Sequence, residues 1–294
     1  MTDNVSTEGF ASAVEAARKS TVRVKSGRCS TTSGTVFAPD LVVTSQHALR
    51  SADDAVVFDD AGAEHKAELV GVDDGTDLAL LRIANGGLIA PTFAAHDGLR
   101  VGDLALALGR PGASIRASLR LIGLLSDEIR TPNGGRLERY IESDRGLPDG
   151  FEGGPQINAR GEVIGLNSST VLRGADLTVP YVTILRVVTE LQAHGRMRRG
   201  YLGVATQPVR LPSALRQTLS QRSGALVLDT DQHGPASAAG LALGDVIVAV
   251  DDKPVRGPRE LSAAVSDKIG QAVALRIVRS GKLETLTLTV GERA

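Results

Sequence analysis

The chain has 294 residues with 33 basic and 34 acidic side chains, and its length allows about two domains. The formal net charge of −1 gives neither the basic footprint of a nucleic-acid-binding protein nor a polyanionic tail, so no nucleic-acid partner is expected. The single cysteine, Cys29, excludes an intramolecular disulfide and a cysteine-rich metal site, and it favours a reducing compartment.

The N-terminal stretch MTDNVSTEGFASAVEAARKS gives an expectation about location. It has acids where a signal peptide would have lysines, and it lacks an apolar central run. No segment of the chain approaches the ~18 consecutive apolar residues of a membrane span. We therefore expect a cytoplasmic protein with no membrane span. A chain from which a leader had been trimmed would look the same, so a periplasmic location is the alternative.

The first predicted element is an N-terminal helical segment at residues 1–20, where Phe10, Val14 and Ala17 recur at helical spacing. From Thr21 onward, short runs rich in Val, Leu and Ile are separated by Gly, Asp and Asn, a pattern typical of a β-sandwich or barrel. The predicted strands are TVRVK, GTVFA, DLVVTS, AVVFD, AELVGVD, LALLRI, DLALALG, SLRLIGLLS, ERYIESD, EVIGLNS and LTVPY. The long helical patterns of a parallel βαβ sheet are absent, so a mostly β domain is predicted.

Three segments of this β region carry chemically interesting residues. His47 follows the apolar strand of DLVVTSQHAL, and Asp77 precedes the apolar run of DDGTDLALLRI. Taken alone, such a histidine is more often structural, and such an aspartate is usually a turn residue or a cap. The third segment, GFEGGPQINARGEVIGLNSS (150–169), has the glycine-rich frame of a loop that holds a nucleophile. The residue at the nucleophile's place is Glu152.

The β region ends in TILRVVTELQAHGRMRRG (183–200), which predicts a helix. Its apolar face is formed by four residues, Ile184, Val187, Val188 and Leu191. Gly195 and the basic residues around it favour a helix end and a domain boundary near residue 198. The remainder, 198–294, is predicted to be a mixed α/β domain with helices at 234–241 and 258–269.

In this order, the segments resemble the trypsin-like serine peptidases and, more narrowly, the high-temperature-requirement A (HtrA) family of PDZ-containing proteases. VVTSQHAL is similar to that family's histidine strand, GTDLALLRI to its aspartate strand, GFEGGPQINARGEVIGLNS to its nucleophile loop and following strand, and LTVPYVTILRVVTEL to its closing strand and helix. The resemblance implies a mostly β chain with a chymotrypsin-like double β-barrel over 21–197. A smaller mixed α/β PDZ domain follows over 198–294.

The resemblance also implies roles for individual residues. His47 would be the general base, Asp77 would orient it, and the N–H groups of Gly150 and Glu152 would bind the oxyanion. The family carries its nucleophilic serine where this chain has Glu152, and a carboxylate cannot become an alkoxide. We therefore expect a proteolytically inactive pseudoprotease that binds peptides or unfolded protein. The alternatives are an active endopeptidase in which Glu152 is an engineered or otherwise altered residue, and a structural or regulatory subunit of a larger assembly.

Glu152 itself invites two hypotheses. The first is that it pairs with His47, which would then lie between two carboxylates and have a raised pKa. The second is a metal site, since His, Asp and Glu are all ligand types. The resemblance puts Asp77 behind the imidazole, so the two carboxylates would not converge on one ion. We therefore expect neither a metal nor a cofactor.

The segment RGYLGV (199–204) resembles the carboxylate-binding loop of PDZ domains in this family. Such a loop presents consecutive backbone N–H groups to a peptide's C-terminal carboxylate, and the helix at 258–269 would form the other wall of the groove. The expected peptide-binding residues are Tyr201, Leu202, Gly203, Val204, Leu261 and Val265. The expected ligands are peptides, protein C-termini or unfolded protein, with preference for an apolar C-terminal residue. A closed or unused groove is the alternative.

The resemblance finally implies a homo-oligomer, commonly a trimer formed through the protease domains, and a role in protein quality control. The N-terminal segment contributes to such trimers in the family, and Phe10 is a candidate for that contact. An ordinary docked helix is the alternative for the same residues.

Overall fold

The computed structural model describes residues 7–27, 30–49, 54–94, 98–172 and 174–292, without the side chains of Thr7, Glu8 and Ser30. Cys29 therefore lies outside the described residues. The chain forms two compact units that divide between Met197 and Arg198. Most of the described residues that form regular elements are in strands. No helix among the described ranges is long and apolar enough to cross a membrane.

The first unit opens with helix α1 (Thr7–Ala17), a 3-10 turn (Arg18–Ser20) and a closed six-stranded barrel. The strands of this barrel are β1 (Thr21–Ser26), β2 (Ser30–Ala38), β3 (Leu41–Ser45), β4 (Ala55–Phe58), β5 (Glu64–Asp73) and β6 (Leu78–Ile83). They close in the order β1-β2-β3-β6-β5-β4, with every neighbouring pair antiparallel. The barrel interior is filled by small branched side chains such as Val22, Val36 and Val57.

A second closed barrel follows in the same unit. Its strands are β7 (Leu104–Gly109), β8 (Arg116–Ser126), β11 (Tyr140–Ser143), β12 (Pro155–Asn158), β13 (Val163–Leu172) and β14 (Ala175–Pro180), in the order β11-β14-β13-β12-β7-β8. A small ribbon of β9 (Ile129–Arg130) and β10 (Arg136–Leu137) lies between β8 and β11 in sequence. The two barrels are those of a trypsin-like domain, as the sequence predicted.

Two helices cover apolar surface of this unit. Helix α1 packs Ala13 and Ala17 against Leu106 and Leu108 of β7 and against Ile157 of β12. Helix α2 (Tyr181–His194) follows β14 and buries the predicted apolar face, Ile184, Val187, Val188 and Leu191, against residues of both barrels. It ends where the sequence indicated, because Gly195 adopts φ +69° and its N–H bonds to the carbonyl of Leu191.

The second unit is a six-stranded sheet with short helices, the architecture of a PDZ domain. In chain order its elements are β15 (Gly200–Tyr201), β16 (Val204–Arg210), α3 (Ser213–Leu219), β17 (Ser223–Thr230), α4 (Pro235–Ala238), β18 (Val246–Val250), β19 (Lys253–Pro254), α5 (Pro258–Val265), β20 (Ala272–Arg279), β21 (Lys282–Thr289) and β22 (Gly291–Glu292). The sheet order is β16-β17-β18-β20-β21, with β19 paired to β18 and with β15 and β22 forming a separate ribbon. Both predicted helices exist but are shorter than predicted, since α4 spans 235–238 and α5 ends at Val265.

Strand β8 gives a direct test of which face of the second barrel is inside. Ile122 is fully buried, while Leu124, on the other side of an irregularity in the pairing of β8 with β11 that breaks the alternation of faces, is 49% exposed. We expect Ile122→Ala to lower the free energy of unfolding of the first unit by about 2–5 kcal/mol, because it leaves a cavity. The matched variant Leu124→Ala should cost less than about 1 kcal/mol. Urea unfolding followed by circular dichroism measures both, and equal losses would contradict the assigned faces.

Candidate active site

The candidate catalytic histidine and aspartate lie at the ends of two paired strands of the first barrel. Ser45 at the end of β3 lies opposite Leu78 at the start of β6, so the turn that carries His47 starts beside Asp77. Asp77 has φ +56°, a left-handed conformation that aspartate tolerates better than most residues. Its carboxylate accepts the backbone N–H of His47 at 2.9 Å and pairs with Nδ1 of the ring at 2.7 Å. The structure thus brings this predicted pair together.

A third residue, Thr170, binds Asp77 as well, and the sequence did not indicate it. Thr170 on β13 donates its hydroxyl to Asp77 Oδ2 at 2.7 Å, so a strand of the second barrel reaches the pair. Burial would raise the pKa of Asp77, but hydrogen bonds from His47 and Thr170 outweigh it and lower that pKa. The hydrogen bond to Asp77 raises the pKa of His47, against the effect of burial and with help from the charges of Asp77 and Glu152. His47 is therefore held toward its protonated form.

The loop that carries Glu152 is fixed through its backbone carbonyl groups. Three hydroxyl groups of β2 each donate to a carbonyl of this loop. Thr32 binds the carbonyl of Glu152 at 2.8 Å, Ser33 that of Gly150 at 2.6 Å and Thr35 that of Gly153 at 3.0 Å. The backbone N–H of Ser33 adds a bond to the carbonyl of Glu152 at 3.2 Å. The carbonyl side of the loop is therefore bound to the first barrel.

The expected oxyanion donors remain available. Within the described ranges, no residue accepts a hydrogen bond from the N–H of Gly150 or of Glu152. Gly150 has φ +79°, and a Cβ at this position would lie 2.6 Å from Cβ of Pro111. Glycine is therefore required there both by conformation and by space. Both N–H groups are therefore without an acceptor among the described residues, as an empty oxyanion site would require.

The Glu152 carboxylate makes no hydrogen bond to His47, although the two side chains are close. Its carboxylate is bound instead by Ser169 on β13, which donates its hydroxyl to Oε1 and its backbone N–H to Oε2 at 3.2 Å. Burial raises the pKa of Glu152, and the bonds from Ser169 and the charge of His47 act against burial. The influence of Glu152 on His47 is therefore that of a nearby charge, and Ser169 is its direct partner.

The three side chains also form a group of metal-ligating types. One donor atom from each of His47, Asp77 and Glu152 lies within 4.8 Å of the others. Asp77 is on the Nδ1 side of the ring, and its Oδ2 is engaged by both Nδ1 and the hydroxyl of Thr170. An ion bound by all three residues would have to displace these hydrogen bonds.

A buried arginine, which sequence reasoning also missed, holds the chain that leads into Gly150. Arg120 on β8 is only 2% exposed and donates to the carbonyls of Gly146, at 3.0 Å, and Arg145. Asp176 accepts the N–H of the next residue, Leu147, at 3.0 Å. Burial lowers the pKa of Arg120. An arginine in the apolar run SLRLIGLLS was the available signal, since a charge in such a strand needs a partner when it faces inward.

The loop that the sequence predicts to bind a carboxylate lies between β15 and β16 of the second unit. Gly203 has φ +75°, its carbonyl accepts the N–H of Asp231 at 2.8 Å, and the carbonyl of Leu202 accepts the N–H of Ala236 at 2.9 Å. Tyr201 donates its hydroxyl to Asp231 at 3.0 Å. The N–H groups of Leu202 and Gly203 have no acceptor among the described residues. The loop therefore has the donors that a carboxylate needs.

The two helix residues predicted to line the groove are deeper than expected. Leu261 is 4% exposed and Val265 is 3% exposed, and both belong to the core cluster that also contains Leu202. They pack in the core of the domain, and little of their own surface is open to a peptide. Val204 is partly buried and packs against the same cluster.

Each of the two units matches a known protein family. Residues 32–166 match the family described as trypsin-like peptidase domain, and residues 200–290 match the family described as PDZ domain. A protein named probable periplasmic serine endoprotease DegP-like from Pseudomonas savastanoi pv. phaseolicola is 32% identical over 266 residues, covering 88% of this chain and 55% of the relative. The protein of the same name from Brucella suis biovar 1 is 33% identical over 270 residues, covering 88% and 52%. The chain thus spans about half the length of these curated relatives.

Solved structures match over nearly the whole chain. The HtrA-type protease AlgWS227A with tripeptide is 30% identical with a TM-score of 0.77, covering 97% of this chain and 97% of that one. The same protein with decapeptide is 27% identical with a TM-score of 0.80, covering 97% and 98%. The serine endoprotease from Yersinia pestis is 25% identical with a TM-score of 0.75, covering 97% and 98%.

The charge environment of His47 generates a prediction. Its folded pKa lies above the ordinary 6.5, so the stability it contributes is fully present below pH 6.5 and is lost as the pH rises through the folded pKa. We expect Asp77→Asn to lower the His47 pKa strongly and Glu152→Gln to lower it less, because the hydrogen bond to Asp77 is the largest cause. NMR titration of the imidazole measures all three proteins. A His47 pKa at or below 6.5 in the unmodified chain would contradict the assignment.

Proposed function

Because this chain belongs to the family of HtrA-type trypsin-like proteases with a PDZ domain, we propose that it is a non-catalytic member that binds peptides. The observation that carries the proposal is the position of the Glu152 side chain and its hydrogen bonds. Its side chain occupies the place expected for the nucleophile, beside His47, and is bound by the N–H and hydroxyl of Ser169. The hydrogen-bonded pair of His47 and Asp77 lies beside it.

The chemistry of a carboxylate explains why hydrolysis is lost. A serine hydroxyl becomes a nucleophile when a histidine takes its proton, whereas an ionised carboxylate has no proton to give. Attack by the carboxylate on an amide would form an unstable anhydride, and its charge lies near the N–H groups that must bind the oxyanion. Loss of the nucleophile of such a triad typically removes about 10⁶-fold in rate. We infer that peptides bound in this cleft are held and not cut.

A working endopeptidase is the second candidate. The observations in its favour are that Asp77 binds His47 through both the ring and the backbone N–H, and that the N–H groups of Gly150 and Glu152 have no acceptor among the described residues. A different nucleophile would have to complete this arrangement. A structural or regulatory subunit of a larger assembly is the third candidate, and the support for it is the apolar surface described below.

The second unit supports the choice of peptides as ligands. Its carboxylate-binding loop has unused N–H donors at Leu202 and Gly203, and its edge strand β16 starts at the next residue. The related AlgW structures are named as complexes with a tripeptide and a decapeptide. We propose that this chain binds protein C-termini with an apolar last residue, or unfolded segments, in the service of protein quality control.

The location we propose is the periplasm. The curated relatives carry the word periplasmic in their names, which supports the alternative given by the sequence. The cytoplasmic expectation has no support from these relatives. It rested on the N-terminal residues and the single cysteine, which are weak indicators of compartment.

An assembly of identical subunits, a trimer by family resemblance, is supported by an aromatic group on the first unit. Phe93 and Tyr181 stack with ring centroids 4.1 Å apart, and Phe37 lies 5.7 Å from Phe93. All three rings are partly exposed. On α2, two residues that follow Tyr181 are also exposed, Val182 to 39% and Leu185 to 43%. We propose that a second copy of this chain covers this surface.

The role of Glu152 is tested by its replacement. We expect no digestion of casein by the unmodified chain, and digestion by Glu152→Ser, because the hydroxyl restores the nucleophile beside His47. Glu152→Gln is the matched control, since it removes the charge without supplying a nucleophile, and it should stay inactive. His47→Ala added to Glu152→Ser should abolish the gain. Digestion by the unmodified chain that disappears in His47→Ala would refute the proposal and favour the second candidate.

The proposed assembly is tested by a substitution that places a charge on the exposed apolar surface of the first unit. Leu185→Glu should shift the sedimentation coefficient to that of a monomer, because a carboxylate would be buried without a partner in the interface. Leu228→Glu is the matched control, since Leu228 is 44% exposed in the second unit. A monomeric unmodified chain, or equal effects of both variants, would contradict the proposed contact.

A further inference from the structure

The end of β7 packs against the loop that carries Glu152. A Cβ at Gly109, the last residue of this strand, would lie 2.6 Å from the ring of Phe151. A Cβ at Gly150 would in turn lie 2.6 Å from Cβ of Pro111. Contacts this close leave the loop no space to shift toward the end of β7. The position of the loop therefore depends on where this segment is held.

The hydroxyl of Ser33 joins the same segment to the loop. It accepts the backbone N–H of Arg110 at 2.7 Å and donates its single proton to the carbonyl of Gly150 at 2.6 Å. Because the N–H occupies a lone pair of the oxygen, it favours the orientation in which the hydroxyl proton points at Gly150. The bound carbonyl fixes the plane of the peptide unit that Gly150 shares with Phe151. The backbone of Arg110 thus acts on the loop through one side chain.

The side chain of Arg110 binds the N-terminal part of the chain. It is buried, and it donates to the carbonyl of Arg18 at 3.2 Å and to that of Thr21 at 2.8 Å. Arg18 begins the 3-10 turn after α1, and Thr21 follows that turn. A further bond joins the guanidinium to the carbonyl of Ala113 at 3.0 Å. Carbonyl groups at the end of a helix carry partial negative charge, so a cation is favourable there.

Asp60 adds an ionic connection between the same parts. This residue lies between β4 and β5, and its carboxylate accepts Nη2 of Arg110 at 2.5 Å and pairs with Nε of Arg18 at 3.1 Å. Burial would raise the pKa of Asp60, but hydrogen bonds from both arginines outweigh it and lower that pKa. One carboxylate therefore holds both Arg110 and the residue that follows α1.

We propose that Arg110 is a positioning residue that makes the geometry of the loop at Glu152 depend on the docking of α1. The helix packs on Leu106 and Leu108 of β7, the strand that leads directly into Arg110. While α1 is docked, the chain that follows it holds the guanidinium, and the backbone N–H of Arg110 holds the hydroxyl of Ser33. When α1 is released, this connection is lost and the loop gains freedom. The dependence holds whether the cleft cuts peptides or only holds them, so it goes beyond the proposed function.

The first test is amide hydrogen exchange, followed by NMR on the full chain and on its Arg110→Met variant. The reporters are the N–H groups of Phe151, Gly153 and Gly154, which bond to backbone carbonyls. We expect their exchange to become about tenfold faster in the variant, because these amides open when the loop moves. Loop amides that exchange at the same rate in both proteins would overturn the proposal.

Ile122→Ala is the matched control, since it removes packing from the core of the second barrel and leaves Arg110 in place. Amides of the core strands should exchange faster in this variant, because the whole unit unfolds more often. The loop amides should stay within about twofold of the unmodified chain. Equal acceleration of the loop in Ile122→Ala and Arg110→Met would mean that Arg110 only adds general stability, and it would contradict a positioning role.

The dependence on α1 is tested by a charge beneath the helix. Ala13 is 2% exposed and packs against β7, so Ala13→Asp should lift the helix from the barrel. The loop amides should then accelerate about as much as in Arg110→Met, and the double variant should exchange no faster than either single variant, because both break one connection. Ala11→Asp is the matched control, since Ala11 is exposed. Slow loop amides in Ala13→Asp, or additive effects in the double variant, would contradict the link. Should either variant fail to fold, the other decides the proposal.

A kinetic measurement separates this inference from the proposed function. In a chain that carries Glu152→Ser, Arg110→Met should lower kcat about tenfold and change KM less than about twofold, because a displaced loop weakens the binding of the transition state. An unchanged kcat would contradict the positioning role. Absence of activity in Glu152→Ser itself would count against the proposed function, and the exchange rates of the loop amides would still decide this inference.

Discussion

The candidate site depends on the way one strand holds the carbonyl groups of one loop. Thr32, Ser33 and Thr35 place three hydroxyls along β2, and each binds a carbonyl of the loop at 150–153. A bound carbonyl fixes the plane of its peptide unit, and with it the direction of the N–H of the next residue. Each such bond contributes only about 0.5–1.5 kcal/mol, but together they define the loop. The strand has no room for a side chain at Gly34, whose Cβ would lie 2.8 Å from Val24. The same strand thus serves the core of one barrel and the site of the other.

The sequence predicted the site residues that lie next to a recognisable strand. His47 and Asp77 each adjoin a strand with a clear apolar pattern, and strand pairing brings them together. The contacts of Ser169 and Thr170 could not be predicted in this way. They lie 17 residues from Glu152 and 93 residues from Asp77, and consecutive positions on β13 bind two different carboxylates. The pKa of His47 is raised as predicted and the charge of Glu152 contributes to this, but the hydrogen bonds to the Glu152 carboxylate come from Ser169. A backbone N–H and a hydroxyl at one residue satisfy both oxygens of the carboxylate, which one imidazole nitrogen cannot do.

The core of each unit was predicted more completely than its surface. The apolar face of α2 and the glycine that ends the helix follow from residue spacing and from the left-handed conformation that glycine allows. The depth of Leu261 and Val265 did not follow, because helical spacing indicates the apolar face without indicating what covers it. Arg120 on β8 is a second residue whose contacts could not be predicted from its position in the sequence. Its position in an apolar run marks it as unusual, but its partners are backbone carbonyls, which leave no trace in a sequence.

Helix α1 has a consequence for how the chain reaches its native state. It is the first element of the described chain, yet its apolar side packs on Leu106, Leu108, Ile157 and Val163, which come roughly ninety to one hundred and fifty residues later. During synthesis the helix has no surface to dock on until the second barrel is complete. Contacts of such long sequence separation form slowly, because a large loop must be closed before any of them is gained. The helix residues leave the ribosome well before their packing partners and are therefore among the last to take their place, and the surface of β7 that they cover stays open until they do.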